Sequence, residues 1–220
     1  MQSKILPIVL IYHEAGQTEA TEAALRAAGF TEWYYADRDG VGSMARAFNA
    51  AVTMLEHDYQ KPIPEYLWFV TNVTFPPDLP ASLLDALESR PDAAAVHPAM
   101  DSSHGFINKA VNVGGCHFIE WTAPLVRYEA WQEIGQLDEN MPYVHFDLDW
   151  SHRAKLEDWK LLVDGRHRVD HIYLHINQPE RISQIRNDLR ALRHEKSLQA
   201  LIDKWGNNWK KTLCQGGNCG

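Results

Sequence analysis

Short apolar runs alternate with helix-like segments through the first hundred residues, and this alternation restricts the fold more than any other feature. The apolar runs predict four strands, at residues 6–12, 31–36, 65–71 and 93–98. Parallel neighbours in a sheet need a crossover of a dozen or more residues, which is usually a helix. The alternation therefore predicts an α/β fold with a mostly parallel central sheet flanked by helices.

Capping residues mark two of the predicted helices. Thr18 precedes an alanine-rich segment with acids in its first turn, and Gly29 follows that segment. Ser43 precedes a segment that runs to about Glu56 with apolar residues at helical spacing. Ser and Thr cap the free N–H groups at the start of a helix, and Gly is favoured just past its end. Between these helices, residues 37–42 ("DRDGVG") are predicted to form a loop.

The pattern changes after residue 98. Residues 100–118 are irregular and contain glycine, which is typical of a loop region over a site. Further elements are predicted elsewhere: helices at 80–89, 127–135 and 146–158, strands at 159–165 and 168–176, and a long arginine-rich helix at 179–205. We find no repeat or low-complexity linker in the sequence. We therefore expect one domain over residues 1–176, with residues 177–220 as a C-terminal helix and flexible tail packed on it.

The composition is that of an ordinary soluble protein, with 45% hydrophobic and 23% charged residues. No apolar run approaches the roughly 20 residues that span a bilayer. The first apolar stretch is interpreted as a core strand rather than a signal peptide, which predicts a cytoplasmic protein. Cys116 stands alone, whereas Cys214 and Cys219 share a glycine-rich end. That pair could chelate a metal or form a disulfide, but a non-functional tail is favoured because such ends are usually disordered.

Charge is divided unevenly along the chain. Residues 1–150 contain 21 Asp and Glu against 8 Lys and Arg, whereas residues 151–220 contain 8 against 13. The favoured explanation is a solvated arginine-rich helix. The alternative is a basic face for an anionic partner, such as a phosphate, a nucleic acid or a lipid headgroup.

Two carboxylates, Asp147 and Asp149, open the predicted helix at 146–158. The helix dipole stabilises carboxylates there by about 0.3–1 kcal/mol, so capping alone could explain them. The apolar stretch "YVHF" before them indicates instead that the helix begins over a pocket. A carboxylate in a pocket can accept a proton from a hydroxyl nucleophile. The residues alone leave both interpretations open.

Other polar residues follow predicted strands. Asp37, Arg38 and Asp39 come after the second strand, where a nucleotide would meet the edge of the sheet. A turn stabilised by local hydrogen bonds explains them equally simply. Asn72 follows the third strand, at a position where nucleotide-using enzymes often carry a metal-binding aspartate.

His171 and His175 are four residues apart in a predicted strand, so their side chains point the same way. With an aspartate they could bind a metal ion. Taken singly, each is interpreted as a structural or surface histidine.

In their order along the chain, these segments resemble the family 2 glycosyltransferases of the GT-A fold. The resemblance covers roughly residues 6–176. In "ADRDGVGSMARAFNAAV", Gly42 and Asn49 match the characteristic glycine and asparagine of that family. Residues 67–98 resemble the segment that carries the metal-binding aspartate, a Pro-Pro-Asp turn, a helix and a strand.

The later part of the resemblance includes an acidic motif. Residues 121–165 are similar to the acceptor region of the family, where the sequence Glu-Asp-x-Asp usually precedes an arginine. In this chain Phe146 stands in place of the glutamate, and Asp147, Asp149 and Arg153 keep the rest.

The resemblance implies an inverting sugar transfer from a nucleotide-sugar donor bound across the carboxyl ends of the first strands. Asp147 would be the general base, and Asp149 would orient a substrate or support that base. Several residues would bind the nucleotide sugar: Tyr12, His13, Glu14, Asp37, Arg38, Asp39, Arg46, Asn49 and Asn72.

The resemblance also implies a divalent metal, Mn²⁺ or Mg²⁺, on the diphosphate. Asn72 aligns with the metal-binding aspartate, and its amide brings no negative charge, so metal binding is expected to be weak. His171 resembles the late histidine of the family and is the second expected ligand. Three outcomes stay open: a weakened metal site, a metal-free site that uses Arg38, Arg46 or Lys109, or a lost activity.

The acceptor is expected to be a glycan or a lipid-linked glycan, and the basic C-terminal third also allows a nucleic-acid acceptor. The alternative to an enzyme is a catalytically silent module that binds a nucleotide sugar or glycan. The two aspartates of the acidic motif favour the enzyme, since a pure binder has little need for a base over the donor. A nucleotidyltransferase is disfavoured because its basic glycine-rich loop is missing.

Overall fold

The computed structural model describes residues 4–11, 17–58, 62–100, 110–171 and 194–213. Its strands are β1 (Ile5–Ile11), β2 (Tyr34–Asp37), β3 (Tyr66–Val70), β4 (Val73–Thr74), β5 (Ala93–Met100), β6 (Val113–Gly115), β7 (Leu125–Arg127) and β8 (Lys160–His171). Its helices are α1 (Gln17–Ala27), α2 (Arg38–Val41), α3 (Met44–His57), α4 (Leu79–Glu88), α5 (Tyr128–Ile134), α6 (Phe146–Leu156), α7 (194–205) and α8 (Trp209–Leu213). Several residues singled out from the sequence lie outside the described residues: Tyr12, His13, Glu14, Lys109, His175, Cys214 and Cys219.

The described strands form an eight-stranded sheet in the order β2-β1-β3-β7-β5-β8-β4, and β6 also pairs with β8. β1 pairs in parallel with β2 and β3, and β5 pairs in parallel with β8. β7 lies between β3 and β5 and is antiparallel to both, so β3 and β5 point the same way. Five strands therefore share one direction: β1, β2, β3, β5 and β8. Only short strands, β4, β6 and β7, run against them in the described sheet. The predicted α/β fold with a mostly parallel sheet flanked by helices is confirmed.

The two faces of the sheet bury different side chains, because successive residues in a strand point to opposite sides. Ile8 and Leu10 of β1 pack in a core with residues of α3, α5 and α6. Ile5 and Val9 of the same strand pack in a second core with residues of α1 and α4. Helices therefore cover both faces of the sheet, as parallel strands require.

Several predicted elements differ from the observed ones. β2 spans 34–37 rather than 31–36, and α1 begins at Gln17, so Thr18 lies inside that helix rather than capping it. The predicted loop at 37–42 contains α2, because the Asp37 carboxylate accepts a hydrogen bond from Gly40 N at 2.8 Å and caps a single helical turn. The predicted irregular region at 100–118 contains β6, which pairing with β8 holds in place.

The two strands predicted at 159–165 and 168–176 are one strand, β8, over the described residues. Its pairing with β5 jumps from Pro98↔Asp164 to Ala99↔Arg168, so the residues between are bulged out of register. Gly165 lies in this bulge, and a Cβ there would come within 2.2 Å of the Ala110 carbonyl carbon. A glycine at this position allows the two chain segments to pass close to each other.

The described C-terminal residues pack against α6. Leu201 of α7 is fully buried in the same core as Trp150 of α6. The rings of His152 and Trp205 meet edge to face, with centroids 4.5 Å apart. The domain boundary at residue 176 stays a prediction. Among the described helices we find none that has both the length and the apolar character to cross a membrane.

Candidate active site

Three neighbouring parallel strands end together at one edge of the sheet. Ile11 of β1 lies level with Asp37 of β2, and Val9 lies level with Val70 of β3. The pairing of β3 with β1 ends at Val70, and Asn72 follows two residues later in a turn where Val73 N donates to Thr71 O at 2.9 Å. In open α/β sheets this edge is where ligands bind. Asp37 ends β2 and Asn72 follows the end of β3, so both lie at this edge of the sheet. Tyr12, His13 and Glu14 lie outside the described residues.

The turn after β2 is built around Asp37 and two glycines. The Asp37 side chain caps α2, and a Cβ on residue 40 would lie 2.7 Å from its Oδ2 atom, so a larger residue there would displace the capping carboxylate. Gly42 ends α2 with φ of 66°, in the left-handed region that favours glycine. Arg38 and Asp39 lie within α2, directly beyond the strand end.

The loop between α5 and α6 is fixed to α3. The Asn49 amide donates to Leu137 O at 2.9 Å and accepts from Leu137 N at 3.0 Å. Arg46 forms an exposed ion pair with Glu139, with Nε and Oε2 3.0 Å apart. The structure thus gives Asn49 and Arg46 partners in this loop, and their predicted contacts with a nucleotide stay untested predictions.

The end of the same loop contacts the turn after β2. Met44 N donates to Pro142 O at 2.7 Å, and the Tyr143 hydroxyl donates to Gly42 O. Ser43 Oγ donates to the same Pro142 carbonyl at 3.2 Å while capping α3. Because this loop leads directly into α6, these contacts hold the start of α6 beside the strand edge.

Asp147 lies in the first turn of α6. Its carboxylate is half-buried, and Oδ1 accepts from Leu148 N at 2.9 Å. Phe146 before it is buried and packs against Trp121, with ring centroids 6.1 Å apart. The buried Phe146 ring and the loop contacts fix the first turn of α6, which carries Asp147. The role of Asp147 as a proton acceptor stays an untested prediction.

Asp149 has a different environment. Its carboxylate is fully buried and bonds to Arg153 Nε at 2.9 Å, Lys204 Nζ at 2.8 Å and Trp205 Nε1 at 2.9 Å. Arg153 also donates to the carbonyls of Ile134 and Gln136. These contacts tie α6 to α7 and to the end of α5. The Asp149 carboxylate is therefore occupied by partners within the protein, and its predicted role toward the base or a substrate stays an untested prediction.

His145 immediately precedes α6 and was missed by the sequence analysis. Its backbone is left-handed, with φ of 69°, which is uncommon for a residue other than glycine. Its ring meets that of His194 edge to face at 4.8 Å. Burial and the neighbouring His194 lower the pKa of His145 to about 4. It is therefore neutral near neutral pH.

The predicted metal ligands are neighbours in the fold. Asn72 directly precedes β4, and Val73 of β4 lies opposite His171 of β8. The side chain of Asn72 is 7% exposed. Among the described residues, however, no group of three His, Cys, Asp or Glu side chains could hold a metal ion. The described residues therefore do not form a carboxylate-rich divalent site, and the Asn72 and His171 pair stays a prediction.

A second residue missed by the sequence analysis, Glu120, lies in the segment between β6 and β7. Thr71 N, just after β3, donates to Thr122 O at 2.9 Å, which fixes this segment beside the strand end. Burial raises the pKa of Glu120. The available signal was an acid inside the otherwise apolar stretch "FIEWTAPLV".

Comparisons with known proteins find similarity at the level of structure. GalNAc-T7, solved with UDP, GalNAc and Mn²⁺, matches with a TM-score of 0.58 at 9% identity over 77% of this chain. TarS from S. aureus, residues 1–349, matches with a TM-score of 0.53 at 12% identity over 75% of this chain. The chain spans 44% and 60% of those two structures. No protein-family model matches the sequence, and no curated protein matches it either.

Both of these proteins are glycosyltransferases with the GT-A fold. The likeness shows that this chain has the GT-A fold, and the fold predicted from the sequence is confirmed. At these identities the likeness extends to the fold alone.

Proposed function

We propose that this protein transfers a sugar from a nucleotide-sugar donor to an acceptor hydroxyl, with inversion at the anomeric carbon. The observation that carries the proposal is that the loop leading to Asp147 is held against the turn after β2, at the carboxyl edge of three parallel strands. The GT-A fold supports it, as does the UDP and GalNAc bound to GalNAc-T7. A glycan or lipid-linked glycan is the proposed acceptor class.

In the proposed reaction the nucleotide lies along the strand edge, toward Tyr12, His13, Glu14 and the turn at 37–39. The Asp147 carboxylate takes the proton of the acceptor hydroxyl. The acceptor oxygen attacks the anomeric carbon from the face opposite the diphosphate, and the bond from that carbon to the diphosphate oxygen breaks. The products are the inverted glycoside and the nucleoside diphosphate. General-base assistance of this kind typically contributes about 10²- to 10⁴-fold.

The other acidic residue of the motif supports this step from a distance. Asp149 holds Arg153 and Lys204, and Arg153 in turn holds the end of α5. This buried network keeps the first turn of α6 in place. We therefore assign Asp149 to positioning Asp147 and not to contact with substrate.

The diphosphate leaving group needs positive charge or hydrogen-bond donors. Arg38 lies in α2 directly beyond β2, at the proposed nucleotide site. Asn72 and His171 are the candidate metal ligands, and a bound Mn²⁺ would neutralise charge on the diphosphate. Because the described residues do not form a carboxylate-rich site, we route no step through a metal.

A catalytically silent module that binds a nucleotide sugar or glycan is the second candidate. The observation that favours it is the lack of a three-residue His, Cys, Asp or Glu cluster in the described part of the chain. Such a module would bind the donor but break no bond in it.

A two-stage experiment tests both candidates. Nucleotide sugars are screened by thermal shift, with and without manganese, and a donor at 100 times its Kd should add about 2.7 kcal/mol to the free energy of unfolding. The stabilising donor is then incubated with the protein, and release of nucleoside diphosphate to water or to added glycans is measured. Binding with release supports the transferase, and binding without release supports a silent module that binds a nucleotide sugar. No binding of any donor contradicts both of these and leaves only a module that binds glycans, which the added glycans test in the same thermal-shift screen.

A further inference from the structure

Glu120 lies in a short segment that is fixed at both ends. On one side, Thr71 N and Oγ1 both donate to Thr122 O, at 2.9 and 3.0 Å. On the other side, Ile119 N donates to Ser151 Oγ in α6 at 2.9 Å. Glu120 therefore lies between the end of β3 and the helix that carries the proposed base.

Trp121 makes this segment rigid. Its ring packs against Phe69 of β3 at 5.3 Å and against Phe146 and Trp150 of α6 at 6.1 and 5.2 Å. Aromatic pairs at these separations contribute about 0.5–1.5 kcal/mol each beyond the area they bury. Phe146 is the residue before Asp147. The same indole ring thus connects the strand that leads to Asn72 with the start of α6.

The Glu120 carboxylate has few partners in the protein. Within the described part of the chain, its hydrogen bond is with Thr122 Oγ1, at a long 3.5 Å, and no ion pair to it is found. The side chain is half-buried, and burial raises its pKa. A carboxylate oxygen accepts several hydrogen bonds, so Glu120 retains capacity for donors from a ligand.

We propose that Glu120 binds hydroxyl groups of the sugar that is transferred. The proposal rests on the proposed function. In an inverting transfer the anomeric carbon lies between the leaving diphosphate and the acceptor oxygen held by the base. Asn72 marks the diphosphate side at the strand edge, and Asp147 marks the base side. A carboxylate carried by a segment that is fixed between these two positions would be level with the sugar ring and not with the nucleotide.

The test compares two ligands in each protein variant: the nucleotide sugar found in the donor screen and the corresponding nucleoside diphosphate. Dissociation constants are measured by calorimetry for the wild type, Glu120→Ala and Glu120→Gln. We expect Glu120→Ala to weaken binding of the nucleotide sugar by about 10- to 100-fold, the usual worth of hydrogen bonds to a charged group. Binding of the nucleoside diphosphate should change by less than about 2-fold. Glu129→Gln, an exposed acid in α5, is the matched control and should leave both constants unchanged.

Each other outcome overturns the proposal. Equal weakening of both ligands assigns Glu120 a structural role, and unchanged binding of both shows that it does not touch the sugar. Unchanged donor binding with a 100-fold loss of donor cleavage assigns Glu120 to proton transfer instead. If Glu120→Ala fails to fold, the nearly isosteric Glu120→Gln carries the same comparison. A wild type that binds no nucleotide sugar contradicts the proposed function itself, which separates that failure from a failure of this inference alone.

Discussion

Lys204 of α7 and Asp149 of α6 form an ion pair of 2.8 Å in which the carboxylate is fully buried. Trp205, the next residue of α7, donates to the same Oδ1 atom, and Arg153 donates to Oδ2. A basic C-terminal segment thus supplies the counter-charge for an acid in the predicted catalytic motif. Lys204 is one basic residue of the helix predicted at 179–205, and it pairs within the protein, whereas residues 172–193 lie outside the described residues.

These ion pairs predict that Asp149 contributes mainly to the folding stability of the protein. Asp149→Asn should lower the free energy of unfolding by about 3 kcal/mol, because it removes the fully buried carboxylate that pairs with half-buried Arg153. Lys204→Met should cost only about 1 kcal/mol, since the Lys204 side chain is 34% exposed and Asp149 keeps its other partners. Denaturant unfolding measures both. Lys210→Met, in exposed α8, is the control. A stable Asp149→Asn variant that has lost turnover would instead assign this residue to the chemistry.

A second prediction concerns the proposed base. Asp147→Asn should reduce transfer by about 10²- to 10⁴-fold while leaving donor affinity nearly unchanged, because only the proton acceptor is lost. Donor affinity is measured by calorimetry and turnover by release of nucleoside diphosphate. Glu157→Gln removes an acid just past the other end of α6 and should behave as the wild type. Near wild-type turnover in Asp147→Asn would contradict the assignment of the base.

The long elements of the fold could be predicted from the sequence because their own residues determine them. β1, β3 and β5 are continuous apolar runs, and α3 has an N-cap serine and a clear apolar face. Short strands such as β4 and β7 could not be predicted, since two or three residues carry no period and only pairing with distant strands forms them. The same limit applies to Gly165. A glycine is needed there because the backbone of Ala110 passes close by, and that contact is not visible in the local sequence.

The candidate site divides in the same way. Asp147 could be predicted because an acidic pair at a helix start is a local pattern. Glu120 could not, because its importance comes from contacts with Thr71 and Ser151, which are far from it in the sequence. Asp149 was predicted as part of the motif, but its partner Lys204 comes from α7, which is 55 residues away in the sequence.

Buried histidines predict a loss of stability in acid. His97 of β5 is buried, with Nδ1 3.0 Å from Pro98 O, and burial lowers its pKa to about 4. In the unfolded chain the pKa is about 6.5. Between these values the unfolded state binds a proton that the folded state does not. The free energy of unfolding therefore does not depend on His97 above about pH 6.5. It decreases as the pH falls from 6.5 toward 4, by about 1.4 kcal/mol per pH unit for one such histidine.

Denaturant unfolding at a series of pH values measures this slope. His97→Leu should flatten the decrease between about pH 6.5 and pH 4, because an aliphatic side chain binds no proton. The decrease should not vanish, since the depressed pKa of His145 contributes over the same range. His57→Gln, exposed at the end of α3, should keep the slope of the wild type. Equal slopes in all three proteins would show that buried histidines do not control acid stability.

The last prediction concerns Asn72. A carboxylate at this strand end would add a charged oxygen next to Val73, whose partner in the sheet is His171. Because Mn²⁺ prefers carboxylate oxygens, Asn72→Asp should tighten manganese binding relative to a weakly binding wild type, as measured by calorimetry. Asn72→Ala should weaken donor binding without unfolding the protein. Thr74→Asp adds the same charge at an exposed position and should not tighten manganese binding. A tight stoichiometric manganese site that survives both Asn72→Ala and His171→Ala would contradict the predicted ligands.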